Sequence, residues 1–304
     1  MHVGLNKRAI RTGISILLLM VIVAIFIHYR GEIYRALKLL DKLWFMLGLV
    51  FFSTSYWFRA VRIRSLSGNR VSVWPTGLYC AGFHGFLTYM LPLRSGDLSL
   101  PLILRSTMGM NINDGISILY RARLLDLFSL GVWMMMASCF LSTSLPPSLR
   151  WKMGIASFVL VIIPLSITWL SSTEILKNGK LSRIVEAVNT ASHIRKGDLI
   201  NSFAIWIVIA LSLWCVAASI RLNITFGQII LLIAMQLVMQ FIPIQGLANA
   251  GNHEGGWLLA LTLIGYSAES ALEFALISHI LILLYVLLLG MIAVLIRQFI
   301  NNNK

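Results

Sequence analysis

Charged residues interrupt this apolar sequence where proline and glycine also cluster. In the first such break, residues 91–97 (LPLRSGD), Arg94 and Asp97 stand three positions apart. A guanidinium group can hold two phosphate oxygens at once, and the free amides of a helix beginning after Asp97 would add to anion binding. We therefore expect Arg94 to bind phosphate, with Asp97 orienting it or taking a proton or cationic headgroup. The alternative is that Asp97 only caps the next helix.

The second break covers residues 243–256 (PIQGLANAGNHEGG) and carries Gln245, Asn249, His253 and Glu254. Unwound carbonyl groups beside a carboxylate suit a cation, a proton or an amine headgroup. These four residues are therefore candidate substrate ligands, although ordinary turn chemistry would also explain Asn249. We expect no metal site, because no second histidine follows four residues after His253.

A third group of charges, Arg121, Arg123 and Asp126, lies early in the apolar run 115–141. Arg123 and Asp126 are three residues apart, so on a helix they share a face and can pair. We expect this pair to face the first break. Arg121 points elsewhere and is the weakest candidate, because snorkelling to the membrane interface would also explain it.

The elements that must position these residues are transmembrane helices. Of the 304 residues, 58% are hydrophobic and 12% are charged, against roughly 25% charged in a soluble domain. Several apolar runs approach the ~20 residues that cross a bilayer. The sequence therefore predicts an all-α polytopic membrane protein with one integral membrane domain over residues 1–304. The runs cover residues 14–28, 43–58, 71–91, 98–110, 115–141, 152–170, 201–220, 227–242, 255–265 and 270–297.

Three of these runs (98–110, 227–242 and 255–265) are too short to span, and each adjoins a break. Polar backbone at membrane depth must be buried in protein or line a wet cavity, so we predict re-entrant helical hairpins at 71–110 and 227–265. With about six spanning helices, this gives about eight hydrophobic segments by hydropathy. Two ordinary spanning pairs in place of the hairpins would give the same orientation.

The net charge of +14 is explained by a positive-inside bias, and no nucleic-acid partner is expected. The bias predicts cytoplasmic N- and C-termini in the cell inner membrane. It also places the arginines after the run 43–58 in a cytoplasmic loop; these are Arg59, Arg62, Arg64 and Arg70.

The order helix, broken hairpin, helix occurs twice, at about 43–141 and 201–297. Each broken hairpin carries proline, then glycine, then an acid. The first set begins by entering the cell and the second by leaving it. This pattern predicts an inverted-topology repeat with a site at its midplane, as in transporters.

The motifs LPLRSGD, RARLLD (121–126) and PIQGLANAGNHE (243–254) resemble the lysylphosphatidylglycerol synthase transmembrane-region family, also called flippase-like domain proteins. The resemblance covers nearly the whole chain in order. The chain departs from the family pattern at Asp97, where glutamate is usual, and at the glycine spacing before His253 and Glu254. The resemblance implies a membrane domain that flips lipids with charged headgroups. In two-domain members of the family a separate soluble synthase domain attaches the amino acid, and we expect this chain to lack that domain.

The expected function is therefore translocation or binding of a lipid with a phosphate-containing headgroup. The partners would be anionic phospholipids or polyprenyl-phosphate-linked lipids, without a cofactor or an enzymatic step. A membrane-embedded transferase acting on phospholipids or lipid-linked sugars is the alternative. A scaffold for a lipid-synthase partner, contacting it through loop 171–200, is a third hypothesis, and a homo-oligomer is compatible with each.

Overall fold

The structure is a computed structural model that describes residues 27–140, 147–172, 195–240 and 245–302, together with Met20 and Ala24. The expected first span at 14–28 lies almost wholly outside the described residues. So does most of the loop 171–200, with which the scaffold hypothesis was concerned.

Within these ranges every regular element is helical, which confirms the all-α prediction for them. A π-helical turn, Val73–Gly77, precedes α3, and short 3₁₀ turns, Pro92–Leu98 and Leu247–Asn249, lie within the two breaks. The α-helices are α1 (Arg30–Lys38), α2 (Lys42–Leu66), α3 (Leu78–Met90), α4 (Ser99–Met108), α5 (Ile112–Phe140), α6 (Pro147–Ser172), α7 (Lys196–Ser219), α8 (Phe226–Gln240), α9 (Asn252–Leu263) and α10 (Ala268–Asn302).

Four of these helices are long and apolar enough to cross a membrane among the described residues: α5, α6, α7 and α10. They correspond to four of the predicted spanning runs. Their outer faces are strongly apolar. On α6, for example, Trp151 is 74% exposed and Phe158 is 62% exposed, as expected for side chains that meet lipid.

Helix α2 corrects the predicted boundary of the run 43–58. It continues for 25 residues, from Lys42 to Leu66, so Arg59 and Arg62 lie within the helix and not in a cytoplasmic loop. Arg62 is only 4% exposed. The apolar run covers only part of this helix, and α2 is not one of the four helices of the described chain that are apolar enough to cross a membrane.

The hairpin helices α3, α4, α8 and α9 are short, with 13, 10, 15 and 12 residues in their described bounds. At 1.5 Å per residue they extend about 15 to 23 Å, less than the roughly 30 Å hydrocarbon core. A single helix of this length cannot cross the hydrocarbon core, so the polar backbone of the adjoining break must lie against other protein.

The two halves of the chain, α2–α5 and α7–α10, make matching contacts. Helix α2 packs along α7, the first helix of the other half. Within each half the second hairpin helix packs on the last long helix, α4 on α5 and α9 on α10. Between halves, α3 packs on α10 just as α8 packs on α5. Each hairpin is therefore held by both halves, which brings the two breaks to the centre.

Candidate functional site

The two breaks contact each other directly. Pro92 has no amide hydrogen to donate to the Thr88 carbonyl four residues earlier. The side-chain amide of Gln245 donates to that carbonyl instead, at 3.0 Å. In return, the backbone amide of Leu93 donates to the Gln245 carbonyl at 2.8 Å. A residue of the second break therefore completes the end of α3 in the first half.

Both breaks use the same unusual backbone conformation. Leu93 and Arg94 have φ of 57° and 58°, and Ala248 and Asn249 have φ of 53° and 64°. The left-handed region costs a non-glycine residue roughly 1–2 kcal/mol. Consecutive left-handed residues in both breaks are therefore maintained by surrounding contacts, as is common at functional sites.

One glycine in each break has a distinct reason to be there. A Cβ on Gly96 would lie 2.2 Å from the Leu87 carbonyl oxygen, so this turn passes too close to α3 for any side chain. Gly251 has φ of +80° and precedes α9. Its amide donates to the Glu254 carboxylate at 2.8 Å, which caps the start of that helix.

Asp97 forms ion pairs and does not cap the following helix. Its carboxylate pairs with Arg123 and lies 3.3 Å from the Nε of Arg94. Helix α4 begins at Ser99, and the N-cap position, Leu98, makes no side-chain capping bond. Of the two sequence interpretations, the cap is therefore wrong, and Asp97 orients two arginines.

Asp126 is buried, and its main partner is Arg62 on α2, which the sequence analysis missed. Arg62 Nη1 lies 2.6 Å from Asp126 Oδ1 and also donates to Ser202 at 2.9 Å. The indole of Trp206 donates to the same carboxylate at 3.1 Å. The predicted Arg123–Asp126 pair exists only as a distant contact of 3.9 Å, because Arg123 faces Asp97 and Arg62 occupies Asp126.

Arg59, one turn before Arg62 on α2, completes this cluster. It interacts electrostatically with Asp126 and, repulsively, with Arg62 and Arg123. Its guanidinium carbon lies 5.8 Å from the centre of the Tyr56 ring. Its buried Nε has no hydrogen-bond partner among the described residues. With Arg94 included, four guanidinium groups share two carboxylates, so the cluster has a net positive charge.

In the second half, Glu254 forms a pair with His279 on α10, which the sequence analysis did not select as a site residue. His279 Nδ1 faces the Glu254 carboxylate, and its Nε2 faces the Ala248 carbonyl at 2.7 Å. A neutral imidazole has one N–H, whereas both ring nitrogens here face acceptors. Both contacts are hydrogen bonds when an imidazolium faces the carboxylate, and that pair has no net charge. His253 stacks on His279, with 4.9 Å between ring centres, and contacts Ser278.

A cavity of about 220 Å³ lies between these groups. Its charged lining residues are Arg59, Arg94 and Arg123, and no aspartate or glutamate of the described chain lines it. Of the sequence-predicted site residues, the cavity is lined by Arg94, Arg123, Gln245, Asn249 and His253. The three predicted acids do not line the cavity and pair with basic side chains instead; these acids are Asp97, Asp126 and Glu254.

Arg121 does not line the cavity. Its Nη2 donates to the Leu66 carbonyl at 2.7 Å, and its Nε donates to the Ser117 carbonyl at 3.4 Å. These bonds join α5 to the end of α2. Arg121 was among the candidate substrate ligands, but in this arrangement it joins two helices and does not line the cavity.

Among known protein families, the model described as "Lysylphosphatidylglycerol synthase TM region" matches residues 10–290 of the chain. The chain belongs to this family. A search of curated proteins found no match to the chain.

Membership in the lysylphosphatidylglycerol synthase transmembrane-region family confirms the suspected resemblance. Together with the four long apolar helices, it makes the chain a multi-pass membrane protein related to lipid metabolism. The family match covers both breaks and all of the ion pairs described above. The cavity therefore belongs to the family's membrane domain.

Proposed function

We propose that the protein translocates a lipid with a phosphate-containing headgroup between the two leaflets of the cell inner membrane. The observation that carries this proposal is the cavity between the two breaks, with three arginines and no carboxylate residue in its described lining. Guanidinium groups bind phosphate oxygens through charge-assisted hydrogen bonds. The headgroup enters the cavity while the acyl or prenyl tails remain in lipid.

The internal pairing of the helices supports a transport mechanism. The two halves, α2–α5 and α7–α10, make equivalent contacts, as a twofold relation between them would require. Their first helices, α2 and α7, pack on each other. The first hairpin helix of each half packs on the last helix of the other half, α3 on α10 and α8 on α5. We propose that these halves are inverted repeats, that both hairpins are re-entrant and that both termini are cytoplasmic. Rocking of one half against the other would open the cavity to each leaflet in turn.

We prefer transport over group transfer because the acids and histidines at the cavity already have partners within the protein. Asp97 and Asp126 pair with arginines, and Glu254 pairs with His279. The two histidines that line the cavity, His84 and His253, contact the hydroxyl groups of Ser99 and Ser278. A transferase would need a carboxylate or imidazole placed to accept a proton from its substrate. Paired carboxylates that orient arginines are better suited to binding than to acid–base chemistry.

The test is lipid flipping in vesicles reconstituted with the purified protein. Phosphatidylcholine vesicles would contain tail-labelled phosphatidylglycerol as tracer, and an impermeant reductant would quench the label in the outer leaflet. We expect wild-type protein to make the inner-leaflet label accessible. Arg94→Ala should slow this by about tenfold or more, since a charge-assisted hydrogen bond contributes about 1.5–3 kcal/mol.

Arg105→Ala is the matched control, because Arg105 is exposed near the end of α4. Equal flipping rates for Arg94→Ala and wild type would remove the proposed site. A deletion strain that lacks a modified lipid, with normal leaflet distribution of the others, would favour the transferase instead.

A further inference from the structure

Unused hydrogen-bond donors are concentrated around the central cavity. Six buried side-chain polar atoms of the described chain have no hydrogen-bond partner. Three of them belong to cavity-lining residues: Arg59 Nε on α2, Tyr89 Oη on α3 and Gln236 Nε2 on α8. The Asn249 side chain interacts with the Tyr89 hydroxyl, so the clearest cases are Arg59 and Gln236. Buried polar groups are nearly always satisfied in folded proteins. An unsatisfied group costs about 1–3 kcal/mol, so cavity-lining residues of both halves have hydrogen-bonding capacity for a ligand.

The chemistry of these atoms specifies the ligand. A guanidinium N–H and an amide NH₂ can only donate, and a phenol can donate or accept. They come from both halves of the chain, so a ligand that met all three would connect the halves. The matching group is one rich in acceptor oxygens, such as a phosphate ester.

Arg59 is the one arginine of this four-arginine cluster that makes no ion pair among the described residues. Arg94 and Arg123 share Asp97, and Arg62 has Asp126. The carboxylate of Asp126 attracts Arg59 only from beyond ion-pair distance, whereas Arg62 and Arg123 repel it. A bound anion would supply the missing negative charge.

An amine-bearing headgroup fits less well. The described lining contains no aspartate or glutamate, and the nearby Glu254 forms a neutral pair with His279. An ammonium group in this cavity would therefore face arginines with no free carboxylate. This argues against the sequence-based expectation that the acids bind an amine headgroup.

We propose that the cavity is an oxyanion site in which Arg59 is the primary ligand, with Gln236 and Tyr89 as further donors. This site selects a phosphate headgroup with a net negative charge over a zwitterionic headgroup. The identification of the anion as a lipid rests on the proposed function. The oxyanion chemistry itself does not.

The experiment measures binding to purified full-length protein in detergent from the rise in Tm on titration. The probes are short-chain phosphatidylglycerol, short-chain phosphatidylethanolamine and inorganic phosphate. We expect phosphatidylglycerol to bind about tenfold or more tightly than phosphatidylethanolamine, because a like-charge contact costs several kcal/mol. Arg59→Gln should weaken phosphatidylglycerol binding about tenfold or more.

Arg64→Gln is the matched control, because Arg64 lies on the same helix with an exposed side chain, and it should bind like wild type. Without a ligand, Arg59→Gln should have a higher Tm than wild type, because the excess buried charge is removed. A merely structural arginine would show the opposite change. Gln236→Leu is a second variant that removes one neutral donor, and it should weaken binding by a smaller factor.

Two results would overturn the inference: wild-type phosphatidylglycerol affinity in Arg59→Gln, or phosphatidylethanolamine binding as tight as that of phosphatidylglycerol. Flipping that depends on Arg94 while binding ignores Arg59 would retain the proposed function and reject this inference. Arg59-dependent binding of inorganic phosphate alone, without phosphatidylglycerol binding, would support the oxyanion site and reject lipid as its source.

Discussion

The two breaks share a backbone design but differ in their electrostatics. Each has two consecutive left-handed residues followed by a helix that begins beside an acid. At the first break, Asp97 pairs with Arg94 and Arg123, whose charges are permanent. At the second, Glu254 pairs with His279, whose imidazole is not permanently charged. The same turn therefore carries a fixed positive field in one half and a neutral pair in the other.

This difference separates two roles within one cavity. Arginines cannot lose their charge, so the first half attracts an anion at all physiological pH values. The histidine–glutamate pair can exist as an ion pair or as two neutral groups. It also bonds the Ala248 carbonyl and the Gly251 amide on either side of the left-handed turn. The second half therefore holds its turn in place without adding net charge.

The largest expected effect follows from removing a carboxylate of the first half. Asp126→Asn leaves the buried Arg62 charge without its partner, and breaking a buried ion pair costs about 3–5 kcal/mol. We expect a clear fall in the Tm of the detergent-solubilised protein. Asp114→Asn is the control. Its partner Arg70 lies 3.1 Å away, but the side chains of Arg70 and Asp114 are 60% and 43% exposed. The loss in the free energy of unfolding should therefore stay below about 1 kcal/mol. Equal losses in the two variants would mean that the charges of the first half are solvated.

An intermediate effect is expected at the contact that joins the two breaks. Gln245→Ala removes the side-chain donor to the Thr88 carbonyl, which Pro92 leaves without its helical partner. An unsatisfied buried acceptor costs about 1–3 kcal/mol, so Tm should fall by less than in Asp126→Asn. Gln228→Ala, at the exposed start of α8, is the matched control and should cost about 1 kcal/mol or less. If Gln245→Ala costs no more than this control, the two breaks are independent of each other.

The sequence predicted the position of both breaks because local chemistry determines them. Proline removes an amide at Pro92, and glycine is required at Gly96 by a close approach. Charged residues within apolar runs are costly enough that Arg94 and Glu254 stand out without any structural information. The helices α4, α8 and α9 begin within three residues of the predicted runs, whereas α3 begins at Leu78, after a separate turn at Val73–Gly77.

Which charges pair could not be predicted from spacing along one helix. The Arg123–Asp126 spacing predicts a pair, but Arg62 reaches Asp126 from α2 and Asp97 reaches Arg123 from the first break. Those partners are set by the packing of α2, α5 and the first hairpin. One signal was present: no proline or glycine follows the run 43–58 before Gly68, so nothing in the sequence ends the helix before Arg59 and Arg62.

The smallest effect is expected at the second break and is the sharpest test of the comparison. In Glu254→Gln the new amide nitrogen can donate to His279 Nδ1, while its oxygen accepts from the Gly251 amide. A neutral His279 then donates from Nε2 to the Ala248 carbonyl, so every bond is retained. We expect the free energy of unfolding, followed through Tm, to remain within about 1 kcal/mol of the wild-type value. Glu254→Leu, of similar size, leaves the His279 and Gly251 donors unsatisfied and should lower that free energy by about 1–3 kcal/mol. If the glutamine variant falls as far as the leucine variant, the pair requires full charges, and the two breaks are electrostatically alike.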